Sequence, residues 1–416
     1  MTTKPVQSSI QAVRRLVVTK QHLARERPVR ATPDRIVAMI RDLPYIQWDP
    51  VSVVAPSHLL SLWARVGSFR LADFDRLMWT QRRLLQHWIP FAGVVPTEDY
   101  ALYASLMRRY PESLSSSWGA QRDRARAFLA RHDELRKRVL ADLRGGPLQL
   151  NQFEDHARTK RAGAEWQPSS VVSEMLWHLL MSGKVMVVGH HGNQNLWGLS
   201  DSFLPSWINR KELSAEEADR EAAQKAIKGL GVATSTEINH YFIRGCYSDL
   251  RTTLETLAGE SRIHRVVVDG LPTREERYVH VEDLDLLNNL GMGQFSPRVA
   301  VRPPFDNIVY SQARGKHLFD FDYVREQFLP KEKRRYGMWV LPILREDRFI
   351  GRADARLDKE KRMLRVVAVF AERDAPKERA VAAEIREELN GLATFLGADS
   401  VGFTSKVPPA WKSALH

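Results

Sequence analysis

SSVVSEMLWHLLMSGKVMVVGHHGNQNLWGLSDSFLP, residues 169–205, is the stretch on which the fold turns. Its first part reads as an amphipathic helix closed by a glycine turn. KVMVVG and NLWGLS then read as two strands, and the HHGNQ between them has the composition of a hairpin turn. A helix followed by a two-stranded wing is the winged-helix order. The same order returns downstream. KGLGVATSTEINHYF, residues 228–242, and YSDLRTTLETLAGESRIHRVVVDGLPTREERYVHVEDL, residues 247–284, read helix, helix, strand, loop, strand. The charged segment RKELSAEEADREAAQKAIKG between the two units has the pattern of a helix rather than of a flexible linker.

Toward the N-terminus the pattern is helical. SSIQAVRRLVV has apolar residues at helical spacing, and ATPDRIVAMIRDL carries the start signal Thr32-Pro33-Asp34. RLADFDRLMWTQ places Leu71, Phe74, Leu77 and Met78 on one face. Thr97 is the expected N-cap of PTEDYALYASLMRRYPE. WGAQRDRARAFLARHDELRKRVLADLRGG reads as one long Arg-rich helix ended at Gly145-Gly146. From Arg298 onward strands dominate: MWVLPILREDRFIGRADARLDKEKRMLRVVAVFAE alternates as a meander with turns at REDR and LDKEK. KERAVAAEIREELNGLATFLGA closes as a helix ended by Gly397. The expected fold class is α+β.

A length of 416 residues exceeds one ordinary domain, so two to four domains are expected. The net charge of +12 favours polyanions, nucleic acid or an anionic membrane, although an Arg-rich soluble protein would show the same excess. The single cysteine, Cys246, excludes an internal disulfide and a cysteine-based metal site. The N-terminus lacks the apolar core of a signal peptide, and no segment has the ~20 apolar residues of a spanning helix. A cytoplasmic protein that does not enter membranes is expected.

Nucleophile-elbow, zinc-protease, P-loop and dinucleotide-glycine motifs are absent from the sequence. His190 and His191 are adjacent in a strand and face opposite ways, so they read as wing-tip residues; no metal site and no cofactor are expected. One polar pair stands out. Gln47 and Asp49 flank Trp48 at the start of the otherwise apolar stretch from Leu43 to Phe69, in which Val51, Val53, Val54, Leu59, Leu60, Leu62, Trp63 and Val66 read as core. In an extended segment residues i and i+2 share a face, which would bring Gln47 and Asp49 together while Trp48 packs inward. A carboxylate beside an amide can hold a water and stabilise an oxocarbenium-like sugar, as N-glycosidic bond hydrolysis requires. The plainer reading is that both residues cap the next helix, with Asp49-Pro50 starting it. On the residues alone, that reading is favoured.

YIQWDPVSVVAPSHLLSLWARVGSF, residues 45–69, and RPPFDNIVYSQARGKHLFDFDYVREQFLPKEKRRYGMWVLPILREDRFIGRADARLDKEKRMLRV, residues 302–366, resemble the AlkZ/YcaQ-like family of winged-helix DNA glycosylases. The first stretch is similar to the family's motif of Gln, an apolar residue, then Gln or Asp. The second is similar to its PFDN, FDY, KR-YG and GR-D signature. The resemblance implies catalytic roles for Gln47 and Asp49, and double-stranded DNA with alkylated or crosslinked purines as substrate. It also implies three tandem winged helices followed by a small β-barrel-like region. The expected domains are 1–145, a winged-helix and helical domain with the Gln-x-Asp segment; 146–210 and 211–297, two further winged helices; and 298–416, β-rich with a terminal helix. A monomeric, nucleoid-associated glycosylase of the monofunctional type is expected.

The sequence also departs from the family. Family members have a Tyr-Trp-Ala-His run after the catalytic segment; LLQHWIPFAGVVPTEDY keeps Trp88, has Pro90 at the place of that His, and carries His87 before the Trp. The family's Asp-Arg run after PFDN is YSQAR here, leaving Arg314 as the expected phosphate contact. PKEKRRYG offers further DNA contacts in Lys333, Arg334, Arg335 and Tyr336, on a hairpin leading into a strand. Its plainer reading is an internal staple to Asp320, Asp322 or Glu326. The competing function is a non-catalytic winged-helix DNA-binding protein, a transcription regulator or damaged-DNA binder, which would use the same charge and fold without needing Gln47 and Asp49.

Overall fold

The computed structural model describes residues 4–88, 92–153, 170–192 and 194–415. They form two compact units, one drawn from 1–74, 224–238 and 255–416, the other from 75–223 and 239–254. The chain is α+β, with helices and sheets in both units.

In the first unit, the helix Ile10–Lys20 is capped by Ser9, whose hydroxyl accepts from the Ala12 N–H at 3.1 Å. The helix Pro33–Asp42 has Thr32 as cap and proline in its first turn, where the missing N–H costs no bond. An unforeseen strand, Val6–Ser9, pairs in parallel with Ile263–Asp269, which pairs antiparallel with Arg277–His280, itself paired to Val232–Thr234. Ala12, Val13, Leu16 and Val17 of the first helix pack on Val266, Val268 and Val279 of this sheet. Gly231 sits at φ +74°, and a Cβ there would press on Leu16.

The C-terminal meander forms as read: Val340–Arg345, Arg348–Asp358 and Met363–Ala371 pair antiparallel, with a register shift at Ile343/Leu344 and another at Asp354/Ala355. Val299–Val301 joins one edge antiparallel, and Ser400–Phe403 joins the other in parallel. The order of this five-stranded sheet is open, with Val299–Val301 and Ser400–Phe403 at its edges, so the expected barrel-like region takes the form of a half-barrel sheet. The helix Arg379–Phe395 buries Val381, Ile385, Leu389 and Leu392, and Gly397 at φ +73° follows its end.

In the second unit, Leu84–Trp88 and Ala92–Pro96 form an antiparallel pair not expected from the sequence. Thr97 is not a helix cap: its hydroxyl donates to the Arg82 carbonyl at 2.7 Å, and among the described residues the helix Tyr100–Arg108 has no side-chain cap. The long Arg-rich helix is two helices, Gly119–Arg131 and Asp133–Asp142, parted where His132 leaves helical geometry at φ −115° and ψ 34°. Arg126 pairs with Glu112 and Asp123, and Arg136 with Asp133, so this surface is a solvated, ion-paired one. The helix Val171–Met181, capped by Ser170, leads to the strands Val185–His191 and Gln194–Leu199, which pair as the hairpin read from the sequence. Val172, Met175, Leu176 and Leu179 pack with Val139 and Leu143. Along the chain the helix Ala215–Leu230 follows, then Ser235–Tyr241 and Leu250–Gly259. Among the described residues no helix is long and apolar enough to cross a membrane.

Candidate functional site

The strand that carries Gln47 is short, Ile46–Gln47, and Asp49 lies beyond its end. The simple alternation expected of residues 47 and 49 therefore stops at Gln47. What bends the chain is Asp49 itself: its Oδ1 accepts from the Val51 N–H at 3.1 Å, a turn of the Asx kind. Its Oδ2 accepts from the Ser57 hydroxyl at 3.2 Å, and its carbonyl accepts from the Ser57 N–H at 3.1 Å. Residues 49–57 thus close into a loop, and Val51, read as core, is exposed on it. The next helix is Ser57–Val66, so Pro50 does not start it; Asp49 nevertheless satisfies the first N–H of that helix through its carbonyl.

Asp49 is 7% exposed, whereas Gln47 and Trp48 are half-buried. Burial raises the Asp49 carboxyl above its ordinary range, and the bonds from Val51 and Ser57 only partly oppose this. Among the described residues no cation is paired with it. Trp48 stacks on His58 with centroids 4.1 Å apart and planes 9° apart, and His58 faces Phe74 at 6.0 Å. Ser57 and His58 belong to the site's wall and were not singled out in the sequence, although Pro-Ser-His at the helix start was visible there.

The frame behind the loop comes from the far end of the chain. Asn307 donates to the Tyr45 carbonyl at 2.9 Å, two residues before Gln47. Asp306 takes both arms of Arg65 at 2.7 Å each, accepts from Ser61, and also pairs with Arg302. Arg65 and Ser61 lie on the helix that follows the loop. Leu357 donates its N–H to the Val53 carbonyl at 3.0 Å. Burial alone would raise the Asp306 carboxyl; Arg302 and Arg65 override it and hold the group well below the usual range.

The expected DNA-contact residues divide. Arg314 is 3% exposed; its guanidinium donates to the carbonyls of Val232 and Leu230 and pairs with Glu237 at 2.8 Å. Its donors are turned inward, so it is a tie within its unit rather than a group presented to phosphate. Residues 331–337 are not a hairpin but a three-ten turn, Lys331–Lys333, followed by a loop into Val340–Arg345. Lys331, Lys333 and Arg335 are exposed on it. Arg334 is half-buried and donates from Nε to the Leu329 carbonyl at 2.9 Å. Tyr336 is half-buried, edge-on to Phe370 at 5.1 Å, with Arg335 4.9 Å and Arg352 4.3 Å from its ring centre. Glu326 accepts from two backbone N–H groups, and Asp322 accepts from Gln312.

His87 is buried beside Tyr103 at 4.8 Å, and burial pushes its pKa down to about 3, so it stays neutral at physiological pH. Pro90 lies outside the described residues. His190 shares a hydrogen bond with Gln86 and His191 with Gln149, as hairpin residues with protein partners. Among the described residues no group of three His, Cys, Asp or Glu could hold a metal ion.

The site is thus a buried carboxylate with no paired cation among the described residues, on a braced loop that begins two residues beyond Gln47. The chain belongs to the AlkZ-like DNA glycosylase family, whose model matches residues 40–395. It is also similar in structure to the Streptomyces sahachiroi DNA glycosylase AlkZ, with a TM-score of 0.67 over 97% of this chain and 100% of that chain. Their sequences are 17% identical, so that likeness is one of fold.

Proposed function

We propose that this chain hydrolyses the N-glycosidic bond of alkylated purines in duplex DNA, N7-alkylguanine being the type, with Asp49 and Gln47 as the catalytic pair. The observation that carries the reading is the state of Asp49: a carboxylate withdrawn from water, held by two hydrogen bonds, and paired with no cation among the described residues. An N7-alkylated guanine already bears positive charge, so its bond to C1′ is weakened and the base leaves with little help from an acid. The remaining need is a water and an anion at C1′. Gln47 orients the water, and Asp49 stabilises the sugar cation and accepts the water's proton as the C1′–O bond forms. Burial makes Asp49 a stronger base than a surface carboxylate would be.

The pair contains no amine, so the product is an abasic site, as for a monofunctional enzyme working as a monomer without a cofactor. The same hydrolysis at one purine of an interstrand crosslink would unhook it. Lys333 and Arg335 are the phosphate contacts of this reading, joined by Lys331, while Arg334 and Tyr336 shape the loop that presents them.

A second reading, a winged-helix protein that binds DNA without cutting it, is favoured by one observation. Both Asp49 oxygens and its carbonyl have protein donors, a set that also serves to staple a loop. The deciding experiment incubates the chain with a duplex containing 7-methylguanine and then heats it in alkali to cleave abasic sites. Strand breaks with the native chain and none with Asp49→Asn support the enzyme; no breaks with either support the binder.

A further inference from the structure

The chain from Glu326 to Gly337 forms a closed loop, and its contents are mixed in an unusual way. Glu326 is buried, and its Oε2 accepts from the backbone N–H groups of Tyr336 at 2.7 Å and Gly337 at 3.1 Å, pinning both ends of the loop together. Inside it, Leu329 N–H donates to the Glu326 carbonyl, Lys333 N–H to the Pro330 carbonyl, and the Arg334 guanidinium to the Leu329 carbonyl. The exit is equally fixed. Gly337 is at φ +140°, a Cβ there would collide with the Asp354 carboxylate, and that carboxylate accepts from the Trp339 N–H at 3.3 Å. This rigid loop carries the exposed cations Lys331, Lys333 and Arg335. It also exposes Phe328 at 57%.

Phe328 rests edge-on against Phe305 and leaves more than half its surface open on a cationic loop, where a partner could cover it. The cations indicate a polyanion, and an apolar side chain among phosphate-binding cations is the make-up of a wedge that enters a base step. The loop is also linked to the candidate catalytic segment. The Phe328 ring is 6.0 Å from that of Phe305, and Asn307, two residues on, holds the Tyr45 carbonyl two residues before Gln47.

Building on the glycosylase reading, we propose that Phe328 is a wedge that enters the duplex at the damaged base pair and unstacks it, while Lys331, Lys333 and Arg335 grip the adjacent phosphates. The occupant of this surface is duplex DNA. Wedging needs no covalent step and precedes base release.

The test uses the full chain and a duplex in which 2-aminopurine neighbours a single 7-methylguanine, with fluorescence followed on mixing, before release. The native chain is expected to brighten the 2-aminopurine. Phe328→Ala is expected to lose most of that rise and to bind the damaged duplex about tenfold more weakly, since a base–aromatic stack contributes that much. Its affinity for undamaged duplex, and the salt dependence of that affinity, should stay as in the native chain; Phe328→Leu should restore part of the rise. No brightening by the native chain, or the same brightening and affinity with Phe328→Ala, overturns the wedge. An affinity loss in Phe328→Ala that is equal for damaged and undamaged duplex also overturns it. The catalytic reading fails separately, by full base release from Asp49→Asn, and leaves the brightening untouched.

Discussion

Asp49 and Asp306 are both buried aspartates of the same unit, and they are used in opposite ways. Asp306 sits between Arg65 and Arg302, accepts from Ser61, and is held ionised far below its ordinary titration. Among the described residues Asp49 receives only a backbone N–H and a hydroxyl, and its titration is raised. A carboxylate surrounded by cations is stabilised and chemically quiet. One kept from water without a cation is poised to take a proton or to face a cation that comes and goes. The contrast separates a residue that holds the frame from one that the frame serves.

Removing the frame should have the largest effect. Asp306→Ala leaves two arginines buried without their carboxylate, and the expected loss is ~3–5 kcal/mol of stability, read as a large fall in the melting temperature. An unchanged melt would break the contrast. Asp49→Asn should do the reverse. Its amide can accept from Val51 and donate to Ser57, so folding is kept, while base release falls by ~3 kcal/mol of barrier or more and DNA binding persists.

The pH dependences should differ in sign. For Asp49 the folded state holds the proton more tightly, so its contribution to stability is present at low pH and fades as pH rises through the raised titration; base release should rise over that same interval. For Asp306 the contribution is present above the ordinary carboxylate range and is lost only as pH falls through its depressed titration. Parallel melts and base-release rates across pH, with Asp49→Asn as the reference, check both.

Gln47→Ala should slow release less than loss of Asp49, by ~1 kcal/mol, since an oriented water rests on one hydrogen bond. If it lowers the melting temperature instead, Gln47 belongs with the frame. The smallest effect is expected from Lys333→Ala with Arg335→Ala. Binding should weaken about equally for all sequences, and the salt dependence should flatten by roughly one unit for each phosphate no longer neutralised. Base release should recover at high enzyme concentration. An earlier melt with an unchanged salt slope would make the pair a staple.

Much of this frame was readable because its signals are local. The first helix follows from apolar spacing and the second from the start signal Thr32-Pro33, and the 185–199 hairpin and the 340–371 meander follow from alternation broken by turn residues. The strands Val6–Ser9 and Val299–Val301 escaped because each is an edge whose partner lies elsewhere in the chain. Leu84–Trp88 and Ala92–Pro96 escaped because LLQHWIPFAGVVP, with Gln86 and His87 side by side and Pro90 in its middle, shows no regular alternation. At the site, Gln47 and Asp49 stood out as polar residues in an apolar stretch. The inward turn of Arg314, by contrast, depends on carbonyls of residues 230 and 232, which no spacing around residue 314 reveals.

The pairing of Arg65 with Asp306 spans 241 residues, and Asn307 meets Tyr45 across 262. A ribosome adding about 5–20 residues per second would take on the order of 10–50 s to cover that distance. Through that interval the newly made segment with Gln47 and Asp49 has neither its brace nor a counter-charge for Arg65 from Asp306. The brace around Gln47 and Asp49 therefore forms only after residues 306 and 307 have emerged, and a chain cut short before residue 306 carries these two residues without the means to hold them.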